Sequence, residues 1–100
     1  MNDQVLEFIK KFKFIHAKEL EDVFLYGNCY YFALILRHRF KYSKIMYDQS
    51  CGHFTTKIKG RLYDITGDVT AQYPESERFD TMDDLYKQRL INDCINFETR

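Results

Sequence analysis

The sequence has no tryptophan, a single proline and four glycines, and its charges cancel. The 15 lysine and arginine residues balance 15 aspartate and glutamate residues, so the net charge gives no reason to expect nucleic acid as a partner. No apolar run approaches the roughly 20 residues that a membrane span needs. The polar start Met-Asn-Asp-Gln does not resemble a secretion signal. We therefore expect a cytoplasmic protein with no membrane partner.

Cysteine is also scarce, and three is an odd number. The spacing suggests no disulfide framework, so we expect reduced thiols that are available for chemistry. Lysine, isoleucine, asparagine and tyrosine are plentiful, a composition typical of an AT-rich genome such as that of a low-GC bacterium or its phage. Hydrophobic residues make up 45% of the 100 residues, which is enough for one core. We expect a single domain over residues 1–100.

Three segments are predicted to be helices. Apolar residues recur at helical spacing over residues 3–16. Residues 29–39 follow the turn signal Gly27-Asn28 and are apolar on almost every side, which is typical of a buried central helix. A last helix is expected to begin near residue 81.

Short segments between these helices have the composition of β-strands. The turn pair Lys59-Gly60 predicts a hairpin between two of them. We therefore expect an α+β fold in which a small antiparallel sheet of three to four strands packs on the buried central helix, with flanking N- and C-terminal helices. The predicted strands are residues 44–49, 53–58, 61–66 and, as a short edge piece, 69–73.

One set of residues suggests nucleophilic chemistry. Cys29 opens the buried helix, where the helix dipole favours a thiolate and free N–H groups can receive an oxyanion. His53, at the start of the hairpin, would be the base that a thiol needs. Asp64, with Asp68 as the alternative, would hold the imidazole in the required tautomer. Asn28, Tyr26 and Gln49 are candidates for a further oxyanion donor, and Asn28 is the preferred one.

The hairpin geometry supports the pairing of the base with its carboxylate. A two-residue turn makes His53 and Asp64 diagonal neighbours on one face of the sheet, within side-chain reach. The other face carries Phe54 and Tyr63, which is a core pattern. Either the Cys29 helix packs on the histidine face and another helix covers the apolar face, or His53 lies at a sheet edge that is only partly covered.

The order of these residues resembles a known superfamily. Residues 27–33, GNCYYFA, are similar to the helix start of transglutaminase-like proteins, and residues 53–66 are similar to their histidine and aspartate strands. The chain thus resembles the papain-like cysteine hydrolases, closest to the transglutaminase-like and NlpC/P60-like branch, over residues 27–68. The resemblance implies a papain-like core and a thiol hydrolase or acyltransferase. Such an enzyme cleaves or transfers at an amide or thioester of a protein or peptide through a Cys-His-Asp triad, without a cofactor.

Other functions fit the same residues. The chain could be a catalytically silent binding or inhibitor protein on that fold, for example a phage protein that blocks a host defence complex. The basic run of residues 37–44 is interleaved with aromatic residues, as in some nucleic-acid-binding surfaces. Cys51 and His53, with Cys29 and His16, could suggest zinc, but no second paired-ligand motif supports a metal site, and none is expected.

Overall fold

The computed structural model describes residues 3–14, 17–25 and 29–95. Within these residues the chain forms four helices and one antiparallel sheet of five strands, with the strand order β4-β3-β2-β1-β5. The expected α+β class is confirmed. In chain order the elements are α1 Gln4–Phe12, α2 Ala17–Leu25, α3 Cys29–Arg39, β1 Lys44–Asp48, β2 His53–Ile58, β3 Arg61–Asp64, β4 Gly67–Asp68, β5 Glu77–Arg78 and α4 Asp84–Ile95.

The N-terminal region differs from its prediction. The predicted first helix is present as α1 but ends at Phe12 instead of residue 16, and a second helix, α2, which was not predicted, follows. Phe12 lies at the meeting point of the two short helices and α3, with ring centroids 5.8 Å from Phe24 and 5.4 Å from Phe32. Lys13 Nζ also pairs with Glu21 across the turn at 2.7 Å. These tertiary contacts favour two packed helices over one long helix.

α1 is joined to the sheet through the residue that caps its N-terminus, Asp3. The Asp3 carboxylate caps the helix by accepting the N–H groups of Val5 and Leu6 at 2.9 and 3.1 Å. Its other oxygen accepts the hydroxyl of Tyr63 in β3 at 2.8 Å. Burial, and then the hydrogen bond to Asp3, raise the pKa of Tyr63 to about 12. The tyrosine therefore remains a neutral donor at physiological pH and holds α1 to β3.

α3 packs on the apolar face of the hairpin. Cys29 lies in the same buried cluster as Phe54 near the start of β2, while Leu36 packs with Ile58 at its end. The helix therefore runs alongside β2 in the same direction. Cys29 lies at the end of the sheet where His53 begins β2.

α3 is not buried on every side, in contrast to the prediction. Its inner face is closed by packing and by a hydrogen bond of 3.0 Å from the buried Thr56 hydroxyl to the Ala33 carbonyl oxygen. On the outer face, the side chains of Tyr31 and Leu34 are exposed. An apolar pattern all round a helix thus does not require burial all round in a chain this small.

The predicted hairpin register is confirmed. Ile58 lies opposite Arg61 and Thr56 opposite Tyr63, joined by the turn Lys59-Gly60, in which both residues have positive φ. β3 ends at Asp64, two residues before its predicted end, because the Asp64 side chain accepts the backbone N–H of Thr66 and turns the chain.

The predicted edge strand over residues 69–73 is wrong, and this segment forms turns. It lies over the face of the sheet that α3 leaves open, where Val69 and Tyr73 pack on Met46 and Leu62. The sheet instead gains two short strands, β4 beside β3 and β5 beside β1. The loop therefore covers the histidine face, and the sheet has one strand more than expected.

None of the helices in the described part of the chain has the length and apolar character needed to cross a bilayer.

The packing of α3 can be tested with two leucines on the same helix. Leu36 is 0% exposed and Leu34 is 36% exposed. Leu36→Ala removes core contacts and leaves a cavity, so we expect a loss of about 2–5 kcal/mol in the free energy of unfolding. Leu34→Ala is the matched control and should cost less than about 1 kcal/mol. Urea denaturation followed by circular dichroism measures both. Equal losses would contradict the described orientation of the helix.

Candidate functional site

The polar centre of the structure is a buried histidine–aspartate pair. His53 opens β2 and Asp64 closes β3, and the nitrogen Nε2 lies 2.8 Å from Oδ2 of the carboxylate. The other carboxylate oxygen accepts the backbone N–H of Thr66 at 2.8 Å and the Thr66 hydroxyl. Burial acts to raise the pKa of Asp64, but the hydrogen bonds from His53 and Thr66 outweigh it and hold the pKa below its usual value. Asp64 is therefore a carboxylate that orients His53.

The alternative carboxylate, Asp68, is engaged elsewhere. Its Oδ2 accepts Nε of Arg61 at 2.8 Å, and its Oδ1 accepts the backbone N–H and the hydroxyl of Thr70. The structure therefore brings Asp64, and not Asp68, to His53.

Tyr73 covers this pair. Its ring lies over the His53 ring with centroids 5.0 Å apart and planes inclined by 33°. Burial raises the pKa of Tyr73, with smaller contributions from the charges of Asp64, Cys51 and other nearby groups that include Cys29. The Tyr73 ring thus lies over the histidine of the pair. Its position depends on a loop packing across the sheet, which no local sequence signal indicates.

Cys29 is buried at the first position of α3. It lies at the same end of the sheet as His53, although α3 packs on the face opposite the histidine. Both alternatives from the sequence are therefore wrong, because α3 does not cover the histidine face and His53 is buried beneath Tyr73. α3 covers the apolar face, and the thiol lies close to the end of the sheet at which His53 begins. The candidate auxiliaries Asn28 and Tyr26 lie outside the described residues, and Gln49 is exposed and donates to the Tyr86 hydroxyl at 3.1 Å.

A second buried carboxylate lies beside the pair. Asp48 in β1 faces His53 directly across the sheet and accepts the backbone N–H of Cys51 at 3.0 Å. The hydrogen bond holds the turn that leads into β2, and Cys51 itself is exposed. Asp48 ends β1, and no sequence pattern singled it out as part of the candidate site. Among the described residues, no group of three or more potential metal ligands comes together.

Fold and site together define a small α+β protein with a buried imidazole–carboxylate pair beneath a tyrosine. A family profile described as phage YunG-like protein matches residues 8–98. The chain belongs to this family. No curated protein and no solved structure matches it.

The expected membership of the papain-like superfamily, in its transglutaminase-like and NlpC/P60-like branch, is therefore wrong. The family match extends over residues 8–98, whereas that resemblance rested on short motifs within residues 27–68, and no papain-like family matches the chain. A cysteine at a helix start followed by histidine and aspartate strands is a local pattern that unrelated folds can share.

The role of Asp64 in stability can be tested with Asp64→Asn. Because the hydrogen bonds hold its pKa below the unfolded-state value of about 3.9, its stabilisation is fully present above that value and is lost as the pH falls through the folded-state pKa. We expect the variant to lose on the order of 2 kcal/mol at neutral pH, with the difference from the original protein narrowing in acid.

The matched control for this experiment is Asp80→Asn. The Asp80 carboxylate also pairs with a cation, Arg78, at 2.9 Å, but both side chains are exposed. Exposed pairs contribute about 0–1 kcal/mol, so this variant should be nearly neutral. Denaturant titrations over a series of pH values measure both variants. A pH-independent loss in Asp64→Asn would contradict the proposed ionisation.

Proposed function

We propose two candidate functions for this member of a phage protein family. The first, which rests on the geometry of the site, is that the protein acts on a protein or peptide through a thiol site formed by Cys29, His53 and Asp64. The observation that carries the proposal is the buried hydrogen bond of 2.8 Å between His53 and Asp64. It uses Nε2 of the ring, so Nδ1 is the nitrogen that would accept the proton of the thiol. An imidazole oriented by a carboxylate in this way is suited to act as a general base.

The proposed reaction is acyl transfer at an amide or thioester. The Cys29 thiol gives its proton to His53, and the sulfur forms a bond to the carbonyl carbon. The imidazolium then protonates the leaving amine or thiol as the bond to that carbon breaks, leaving a thioester on Cys29. Water hydrolyses the thioester, or an acceptor amine takes the acyl group, and the thiol is restored.

In this proposal, the N-terminus of α3 stabilises the negative charges that form during the reaction. The first N–H groups of a helix have no partner within the helix and carry partial positive charge. They favour a thiolate at the first position and stabilise negative charge on an attacked carbonyl oxygen. Cys29 is the first residue of α3.

A second candidate function is binding without chemistry. Cys29, His53 and Asp64 are 5%, 7% and 5% exposed, and Tyr73 covers the histidine. The buried histidine–aspartate pair is therefore also suited to a purely structural role. The family description names a phage protein and no enzyme, which favours this candidate over the first. In this case the protein would act by blocking a target, for example a host protein, and Cys29→Ala would leave its function unchanged.

Alkylation of Cys29 separates the two candidates. The test uses a background in which Cys51 and Cys94 are replaced by serine, and intact mass reports the reaction with iodoacetamide as a function of pH. For an activated thiolate we expect rapid alkylation well below the ordinary thiol pKa of about 8.5, and strong slowing in His53→Gln.

His38→Gln is the matched control, because His38 is exposed at the opposite end of α3. It should leave the rate of alkylation and its pH dependence unchanged. A Cys29 thiol that does not react in the folded protein, or that follows the pH profile of an ordinary thiol in both histidine variants, would refute the thiol site and favour binding alone.

A further inference from the structure

A group of cations lies at the other end of β2, away from the histidine. It surrounds a hollow of about 260 Å³ on the surface of the protein. We call this site the basic hollow. It is lined by Tyr42, Lys44, Lys57, Lys59, Gly60 and Arg78.

Two of the lysines of the basic hollow repel each other. Lys44 and Lys57 are exposed and lie directly opposite each other on β1 and β2, an arrangement of like charges that destabilises a sheet. Arg78 is paired with Asp80 at 2.9 Å, but the ion pairs in the described part of the chain do not include Lys44, Lys57 or Lys59. Lys44 also lies near the Asp80 carboxylate, whose pKa its charge helps to lower, so the hollow keeps mainly the unpaired charges of Lys57 and Lys59.

The backbone of the basic hollow is also unusual. Among the described residues, the two non-glycine residues with left-handed backbone are Tyr42, with φ of 67°, and Lys59, with φ of 52°, and both line the hollow. Lys59 occupies the first position of a two-residue hairpin turn in which asparagine, aspartate or glycine is preferred. Neither local conformation favours the residue that is present.

The aromatic ring at the edge of the hollow, that of Tyr42, does not pack in the core. Tyr42 is 96% exposed, whereas most of the other tyrosines in the described residues are at least partly buried. An exposed ring beside unpaired cations is the combination that binds single-stranded nucleic acid, in which cations contact phosphates and an aromatic ring stacks on a base. An acidic protein segment would need the charges but not the exposed ring.

We propose that the basic hollow binds the phosphate backbone of single-stranded nucleic acid, with Tyr42 as the platform for one base. The net charge of zero argued against such a partner, but it averages over the whole chain. Electrostatic attraction at physiological salt acts over about 8–10 Å, so the local excess of lysines decides binding here. The site is separate from Cys29 and His53, and its test is independent of the thiol proposal.

Binding can be measured by fluorescence anisotropy with a labelled oligothymidylate of about 12 nucleotides. We expect the logarithm of the affinity to fall with the logarithm of salt concentration with a slope of about −2, as three neutralised phosphates predict for a single strand. The double variant Lys57→Gln/Lys59→Gln should bind at least about tenfold more weakly and lower the slope to about −0.7. Tyr42→Ala should also weaken binding about tenfold but leave the slope unchanged.

The matched control is Lys10→Gln/Lys11→Gln, which removes the same charge from exposed positions on α1. It should bind as the original protein does. A thermal melt gives a separate readout, because the double variant Lys57→Gln/Lys59→Gln relieves the repulsion between Lys44 and Lys57 and should raise the melting temperature. Loss of binding in the double variant then cannot be attributed to unfolding.

Two results would overturn the proposal. One is an equal loss of affinity in the α1 control, which would mean that binding depends on overall charge and not on the basic hollow. The other is equally effective competition by a poly-glutamate peptide together with full binding by Tyr42→Ala, which would identify an acidic protein segment as the better partner.

Discussion

The two-residue turn Lys59-Gly60 is the constraint on which the rest of the structure depends. It fixes the pairing of β2 with β3, and that register decides which side chains share a face of the sheet. In this register, Phe54 and Tyr63 point towards α3, while His53 and Asp64 meet on the opposite face at 2.8 Å. A shift of one residue would turn the aromatic side chains away from the helix and separate the polar pair. Core and candidate site thus follow from the same turn.

The two faces of the sheet are covered by different kinds of structure, and this explains why the candidate site is closed. A helix packs on the aromatic face, where it can bury long side chains. The opposite face carries smaller and polar residues and is covered by the loop of residues 69–73, with Tyr73 lying on His53. A loop requires less packing surface than a helix and opens at lower cost. Access to His53 therefore depends on this loop.

Local patterns predicted the hairpin, the meeting of His53 with Asp64 and the inner face of α3, because each depends on spacing along a few residues. The sequence could not show that the first helix ends at Phe12 and that a second helix packs beside it, since the aromatic contacts of Phe12 that favour this arrangement come from distant residues. The same holds for β5, which pairs with β1 across an intervening segment of more than twenty-five residues. The papain-like resemblance was wrong because short motifs record local chemistry, and the wider family match is the phage YunG-like one. Whether Asn28 assists an oxyanion stays a prediction.

The residues at the first end of β2 stabilise the fold, whereas several residues at its other end lower its stability. At the first end, every hydrogen-bonding oxygen of Asp64 has a partner, so the buried pair stabilises the fold whether or not it takes part in chemistry. At the other end, Lys44 faces Lys57, and Lys59 occupies a turn position that disfavours it. Residues that lower stability persist where they serve another purpose. The buried pair is therefore compatible with both candidate functions, whereas the unfavourable placement of the lysines is what the proposed nucleic-acid partner would explain.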